Sequence, residues 1–162
     1  VETAPANPSV RDNLANVLLA ANQPARAISL YLEVLDRDPR YWRSNYNLGY
    51  AYYKTTNYSA AENYLRRAIR VDPSDANQYI CLALAQLQLK KFPEAADSAR
   101  LAIARNPHAR GYHFVLATIL EAAGNRGAAE GELKTEITDH PENRAAIAEL
   151  QRLESQKTIS GR

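Results

Sequence analysis

Large apolar residues recur along the chain at helical spacing in blocks of about 14 residues, and polar or helix-breaking residues separate the blocks. The clearest block runs over 42–55, where Leu48 and Tyr52 mark one face and Tyr46, Tyr50 and Tyr53 mark another. Thr56 and Asn57 interrupt it, because Thr and Asn side chains compete with helix by bonding the local backbone. The next block, 58–71, carries Ala61, Tyr64, Leu65, Ala68 and Ile69 on its inward side and stops at Asp72-Pro73. Proline pushes the residue before it toward extended backbone and cannot donate to the preceding turn, so a helix ends there. The same reading predicts helices over 8–21, 24–37, 76–89, 92–105, 110–123 and 126–139. Each is roughly 21 Å long.

The blocks keep a strict beat. Pro39, Pro73, Pro107 and Pro141 are each 34 residues apart, as are Ala27, Ala61, Ala95 and Ala129, and Leu14, Leu48, Leu82 and Leu116. Three residue types held in one period predict an all-α solenoid of antiparallel helix pairs, with repeats at 8–41, 42–75, 76–109 and 110–143. Gly49, Ala83 and Ala117 follow the leucine column, and the alanine column faces them. Small side chains there let the two helices of a pair approach closely, and larger ones would overpack the contact. Glu62 falls on the outer, solvated side of its helix in this reading, where a pair with Arg66 adds only ~0.3–0.5 kcal/mol. After Pro141 a single amphipathic helix over 144–157 turns Ala146, Ile147, Leu150 and Leu153 one way and Glu149, Gln151 and Arg152 the other. A polar-backed terminal helix is what a solenoid needs to close its last repeat. Pro5 also keeps the beat, so residues 1–5 read either as the tail of a preceding repeat or as an unstructured leader.

The set Leu48-Gly49, Tyr52, Ala61, Ala68 and Pro73 resembles the tetratricopeptide repeat. The second copy matches it best. The others are more degenerate, with Arg11, Asn45, Tyr79 and His113 in the column where that family favours tryptophan. The resemblance covers about 8–141 and implies a right-handed superhelix whose first helices line a concave, peptide-binding groove. Carried onto this chain, that groove offers Asn16, Arg43, Tyr46, Asn47, Tyr50, Tyr53, Ile80, Leu84, Leu87 and Phe114. Its centre is apolar and aromatic, and tyrosine pairs a large apolar body with a hydroxyl that can bond a ligand backbone. The competing expectation is that neighbouring repeats bury these side chains against each other. Family members that grip the acidic tails of heat-shock chaperones use a cationic clamp in this groove. Here the clamp asparagines match Asn16 and Asn47, but the basic positions hold Asp12, Asn77 and Cys81. The next frame along fares no better, with Tyr46, Tyr50, Cys81, Gly111 and Val115 at the clamp positions. A chaperone tail is therefore not the expected partner.

Composition narrows the function further. The chain has 162 residues, 46% hydrophobic and 23% charged, which fits one globular domain spanning 1–162. Net charge is +2, and the densest basic group, Arg66, Arg67 and Arg70, reads as a solvated helix face, so no nucleic-acid partner is expected. No apolar run approaches the ~18 residues of a membrane span, so direct membrane insertion is not expected either. Cys81 stands alone and reads as a small buried residue; no disulfide is available, and no metal or cofactor is expected. The histidines His108, His113 and His140 lack ligand spacing, and no phosphate loop or nucleophile motif occurs, so an enzyme is not expected. The absence of methionine leads us to expect a segment of a longer or processed protein, and the scarcity of lysine, five of 20 basic residues, a bacterial one from cytoplasm or periplasm. The expected function is a protein–protein interaction scaffold, with a regulatory or targeting segment of a larger enzyme or membrane protein as the alternative. Self-association through the groove is a further use to be tested.

Overall fold

The breaks in the apolar pattern become the turns of the structure. The computed structural model describes residues 7–160, with side chains to 156, and contains nine helices and no strand among the described residues. They are α1 (Pro8–Ala20), α2 (Pro24–Arg37), α3 (Trp42–Lys54), α4 (Tyr58–Val71), α5 (Ala76–Gln88), α6 (Phe92–Arg105), α7 (Tyr112–Ala122), α8 (Arg126–Asp139) and α9 (Arg144–Ser160). The expectation for residues 1–5 lies outside the described residues. Each second helix ends on the residue before proline: Asp38, Asp72, Asn106 and His140 leave the helix with φ near −135° and positive ψ. Asn57 and Asn125 accept from the backbone N–H of Ala60 and Ala128 (both 3.3 Å), and Asp75 from Asn77 (2.9 Å), which satisfies donors that helix starts leave open. The first helices end one residue before the expected boundary, α9 runs on to Ser160, and α7 starts at Tyr112 and not at 110, because Gly111 sits at φ +87° and its N–H donates to Glu136 Oε1 at 2.8 Å.

Sequential helices pack pair by pair, each second helix also lying against the first helix of the next pair. The alanine column explains the closeness. Ala27, Ala61, Ala95 and Ala129 are all fully buried. A Cβ built on Gly49 would stand 2.7 Å from Leu65 Cγ and 3.1 Å from the Leu65 backbone nitrogen, so α3 and α4 meet where only hydrogen fits. First helices of neighbouring pairs also touch: α1 with α3, α3 with α5, α5 with α7. No comparable contact joins the second helices, so the first helices line the inner side of the stack. α9 buries Ala146 and Leu153 completely against the last pair, in one cluster with Leu120 and Leu133.

One expectation is corrected, and one column of the repeat divides. Glu62 is not on a solvated face but buried, with Lys91 Nζ at 2.7 Å and Arg66 Nη2 at 3.0 Å. Lys91 precedes α6, so this carboxylate ties α4 to the following pair. Leu14 is half exposed although Leu48, Leu82 and Leu116 in its column are buried, because each of those three is covered by the second helix of the pair before it.

Candidate functional site

The inner side is built from one face each of α1, α3, α5 and α7. Tyr46, Tyr50 and Tyr53 lie one helical turn apart on α3, and the structure divides them. Tyr50 is 38% exposed. Tyr46 and Tyr53 are half-buried, packed beside Ala61, Leu65, Leu82 and Ala85. The Tyr46 hydroxyl lies 3.7 Å from Cys81 Sγ on α5, and Tyr53 meets Tyr58 at 5.7 Å between ring centres. Further along, Ile80, Leu84, Leu87 and Phe114 are half-buried; Ile80 packs beside Tyr79 and Tyr112, while Leu87 and Phe114 join the large cluster around Leu116. The stripe is thus mostly half-buried, while Tyr50 is exposed.

The polar end of the groove is tied together by Asp12, whose carboxylate is buried. Ser44 Oγ donates to its Oδ1 at 2.6 Å, and Asn47 Nδ2 and Asn16 Nδ2 donate to its Oδ2 at 3.2 and 3.4 Å. Tyr31 on α2 donates its hydroxyl to Asn16 Oδ1 at 2.6 Å. The amides of Asn16 and Asn47 are therefore already employed in joining the first two pairs. Ser44 was not among the expected groove residues, and Asp12 was expected at a groove position but not as a buried acceptor. Their signal is weak, a polar residue at two positions of the repeat whose role depends on a helix some 30 residues away. Around this network Asp12, Asn13, Asn16, Trp42, Arg43, Tyr46, Asn47 and Asp75 line a recess of about 250 Å³, which brings four of the expected residues together. Arg43 is exposed, with its guanidinium carbon 5.5 Å from the Trp42 ring centre.

Electrostatics keep the aromatic part of the groove neutral. Burial pushes the Tyr46 hydroxyl well above its ordinary range, and the neighbouring Cys81 adds to this. Burial raises Tyr53 as well, with Tyr58 adding to it. Burial likewise raises the Cys81 thiol, outweighing a hydrogen bond with Tyr46 that lowers it. At neutral pH these groups carry no charge, so the strip offers apolar surface with hydroxyl donors, and Cys81 lacks the thiolate that a nucleophile needs. His113 pairs with Glu132 at 2.6 Å and His108 with Asp139 at 3.1 Å, but no three His, Cys, Asp or Glu side chains converge among the described residues. No helix there is long and apolar enough to cross a membrane. A roomier cleft of about 500 Å³ opens on the second-helix side, where Arg66 and Arg70 flank Ile69, Leu82 and Leu101. Its size alone does not make it the site: Arg66 there is already held by Glu62.

Comparison with known proteins agrees on the architecture. The family model described as Tetratricopeptide repeat matches residues 13–76, 46–109 and 81–144. Tetratricopeptide repeat protein 21B of Xenopus laevis is 29% identical over 96 residues, which is 58% of this chain and 7% of that relative. The chain thus spans only a small part of the relative's length. Among solved structures, MamA superposes with a TM-score of 0.84 at 21% identity, covering 90% of this chain and 85% of its own. YrrB, described as a TPR protein with an unusual peptide-binding site, gives a TM-score of 0.78 at 20% identity, with 91% and 76% covered.

Proposed function

Because the chain belongs to the tetratricopeptide-repeat family, we propose that it is a protein–protein interaction scaffold holding a peptide or helix along the groove of α1, α3, α5 and α7. The observation that carries this reading is Tyr50, a large aromatic side chain facing water between two half-buried tyrosines on the inner side of the stack. Exposed aromatic surface inside a concavity is where binding energy concentrates, since tyrosine gains contact area while losing little conformational freedom. In this arrangement Tyr46 and Tyr53 hold Tyr50 in place, and Leu84, Leu87 and Phe114 extend the apolar strip toward α7. At the recess beside Asp12, exposed Asn13 and Arg43 add polar anchors for a ligand backbone. The peptide-binding site named for YrrB, a protein of like fold, supports a peptide as the class of ligand.

The test uses peptides selected from a random display library on the intact chain and titrated by calorimetry. Tyr50→Ala is expected to weaken their binding by about 2 kcal/mol and to shift stability by no more than ~0.5 kcal/mol, as for a surface substitution. Tyr46→Ala, by contrast, removes a ring packed beside Leu65 and Leu82 and is expected to cost ~2–4 kcal/mol of stability. A strongly destabilised Tyr50→Ala whose folded fraction still binds normally would refute the groove reading.

A further inference from the structure

The repeats provide their own control for which surfaces are meant to be covered. Val10 on α1 is 61% exposed, whereas its counterparts one, two and three repeats on, Ser44, Gln78 and Tyr112, are buried. Leu14 is 50% exposed against buried Leu48, Leu82 and Leu116, and Val17 is 64% exposed against buried Ala51, Ala85 and Ile119. None of those nine counterparts exceeds 8%. Val10, Leu14 and Val17 stand at i, i+4 and i+7, one continuous helix face. The face carried by α3, α5 and α7 at these positions is covered by α2, α4 and α6, each the second helix of the pair before. On α1 no described helix covers the same face, and beside it Leu14, Leu18 and Leu30 line a cleft of about 250 Å³ between α1 and α2.

What covers the equivalent faces specifies the occupant. The covering helices present an alanine (Ala27, Ala61, Ala95) and, eight residues on, an aliphatic residue (Leu35, Ile69, Ile103). Four residues after the aliphatic position comes the proline of the turn. Val1 and Pro5 fall in the register of that aliphatic residue and that proline. We propose that the bare face of α1 is the docking surface for the second helix of a further hairpin, carried by the same polypeptide on the N-terminal side and joined through the residues around Pro5. A second copy of the chain fits worse. Three side chains are a small part of the ~800 Å² per partner that a stable complex buries, whereas a tethered helix docks at high effective concentration and needs no such area. The opposite end differs, since α9 turns exposed polar Arg144, Gln151, Arg152 and Glu154 outward.

The natural reading frame before Val1 tests this directly. Its preceding 34 codons are expected to carry alanine eight residues before Val1 within a helical apolar pattern; a frame lacking that pattern overturns the proposal. In the chain extended by those residues, hydrogen exchange of α1 amides is expected to slow at least tenfold relative to the 162-residue chain. Leu14→Lys is expected to lower the thermal midpoint of the extended chain and to leave that of the 162-residue chain nearly unchanged; Val17→Thr, a milder change, keeps the comparison readable if the lysine variant fails to fold. Unchanged α1 exchange on extension overturns the proposal. So does a dimer of the 162-residue chain, seen by light scattering, that Leu14→Lys abolishes, because the occupant is then a second copy.

Discussion

At Glu62 a single carboxylate decides how two repeats hold together. Burial raises its pKa, but hydrogen bonds from Lys91 and Arg66 outweigh that and leave it below its ordinary value of 4.5. A depressed folded-state pKa means that the stabilisation is fully present above the unfolded value and is lost as pH falls through the folded one. Glu62→Gln is therefore expected to lower stability by about 1–2 kcal/mol near neutral pH, a discounted figure because Lys91 and Arg66 are half in water. Near pH 3 the difference between variant and parent is expected to shrink. Urea midpoints at the two pH values measure this, and parallel losses at both would show that Glu62 has no such role. The contrast between Tyr50 and Tyr46 belongs to the same scale: neighbours on one helix face, one is exposed and the other packs against Leu65, Leu82 and Cys81.

Among the elements, the short turn inside each pair repeats its backbone more faithfully than its sequence. Asn22, Thr56, Lys90 and Gly124 are equivalent and all left-handed, with φ between 57° and 83°. Asparagine and glycine tolerate that conformation, but a β-branched threonine does not do so without strain. Thr56→Gly relieves ~1–2 kcal/mol of steric cost against ~0.5–1 kcal/mol of extra unfolded-state entropy, so a net stabilisation of roughly 0.5 kcal/mol is expected. Gly124→Ala, its mirror experiment, is expected to destabilise by a comparable amount. Denaturant unfolding of both variants checks the pair. A destabilised Thr56→Gly would mean that the Thr56 side chain contributes something the backbone geometry does not show.

For the whole molecule, stability is a sum of neighbour-to-neighbour contacts along the stack. Removing α9 by ending the chain at residue 143 takes away fully buried Ala146 and Leu153 and uncovers Leu120 and Leu133. A loss of about 3 kcal/mol is expected, from one leucine, one alanine and the surfaces they cover. Because α9 packs on the last pair among the described residues, hydrogen exchange is expected to accelerate in α7 and α8 while α1 to α4 keep their protection. A uniform acceleration along the chain would show that the stack unfolds as one unit instead. The proposed groove spans several repeats, so its shape depends on the same additive contacts, and a local opening at one end leaves the tyrosines of α3 in place.

Helices, turns and their number were legible in the residues because they depend on local chemistry. Apolar spacing of 3.6 residues, asparagine and threonine at turns, and proline after each second helix act within a few residues of themselves, and the 34-residue period then dictates stacking. The inner face of the first helices followed from that period together with the family resemblance. Burial of particular polar groups did not. Asp12 and Glu62 look like surface residues on an isolated helix, and only Ser44, 32 residues on, and Lys91, 29 residues on, make their burial tolerable. Leu14 and Leu48 share one column of the repeat and differ completely in exposure, since a helix packs over one and none of the described helices over the other. Periodicity determines which residues share a face, whereas what lies against that face is settled by segments distant in the chain, and their desolvation and hydrogen bonding exist only once the stack has formed.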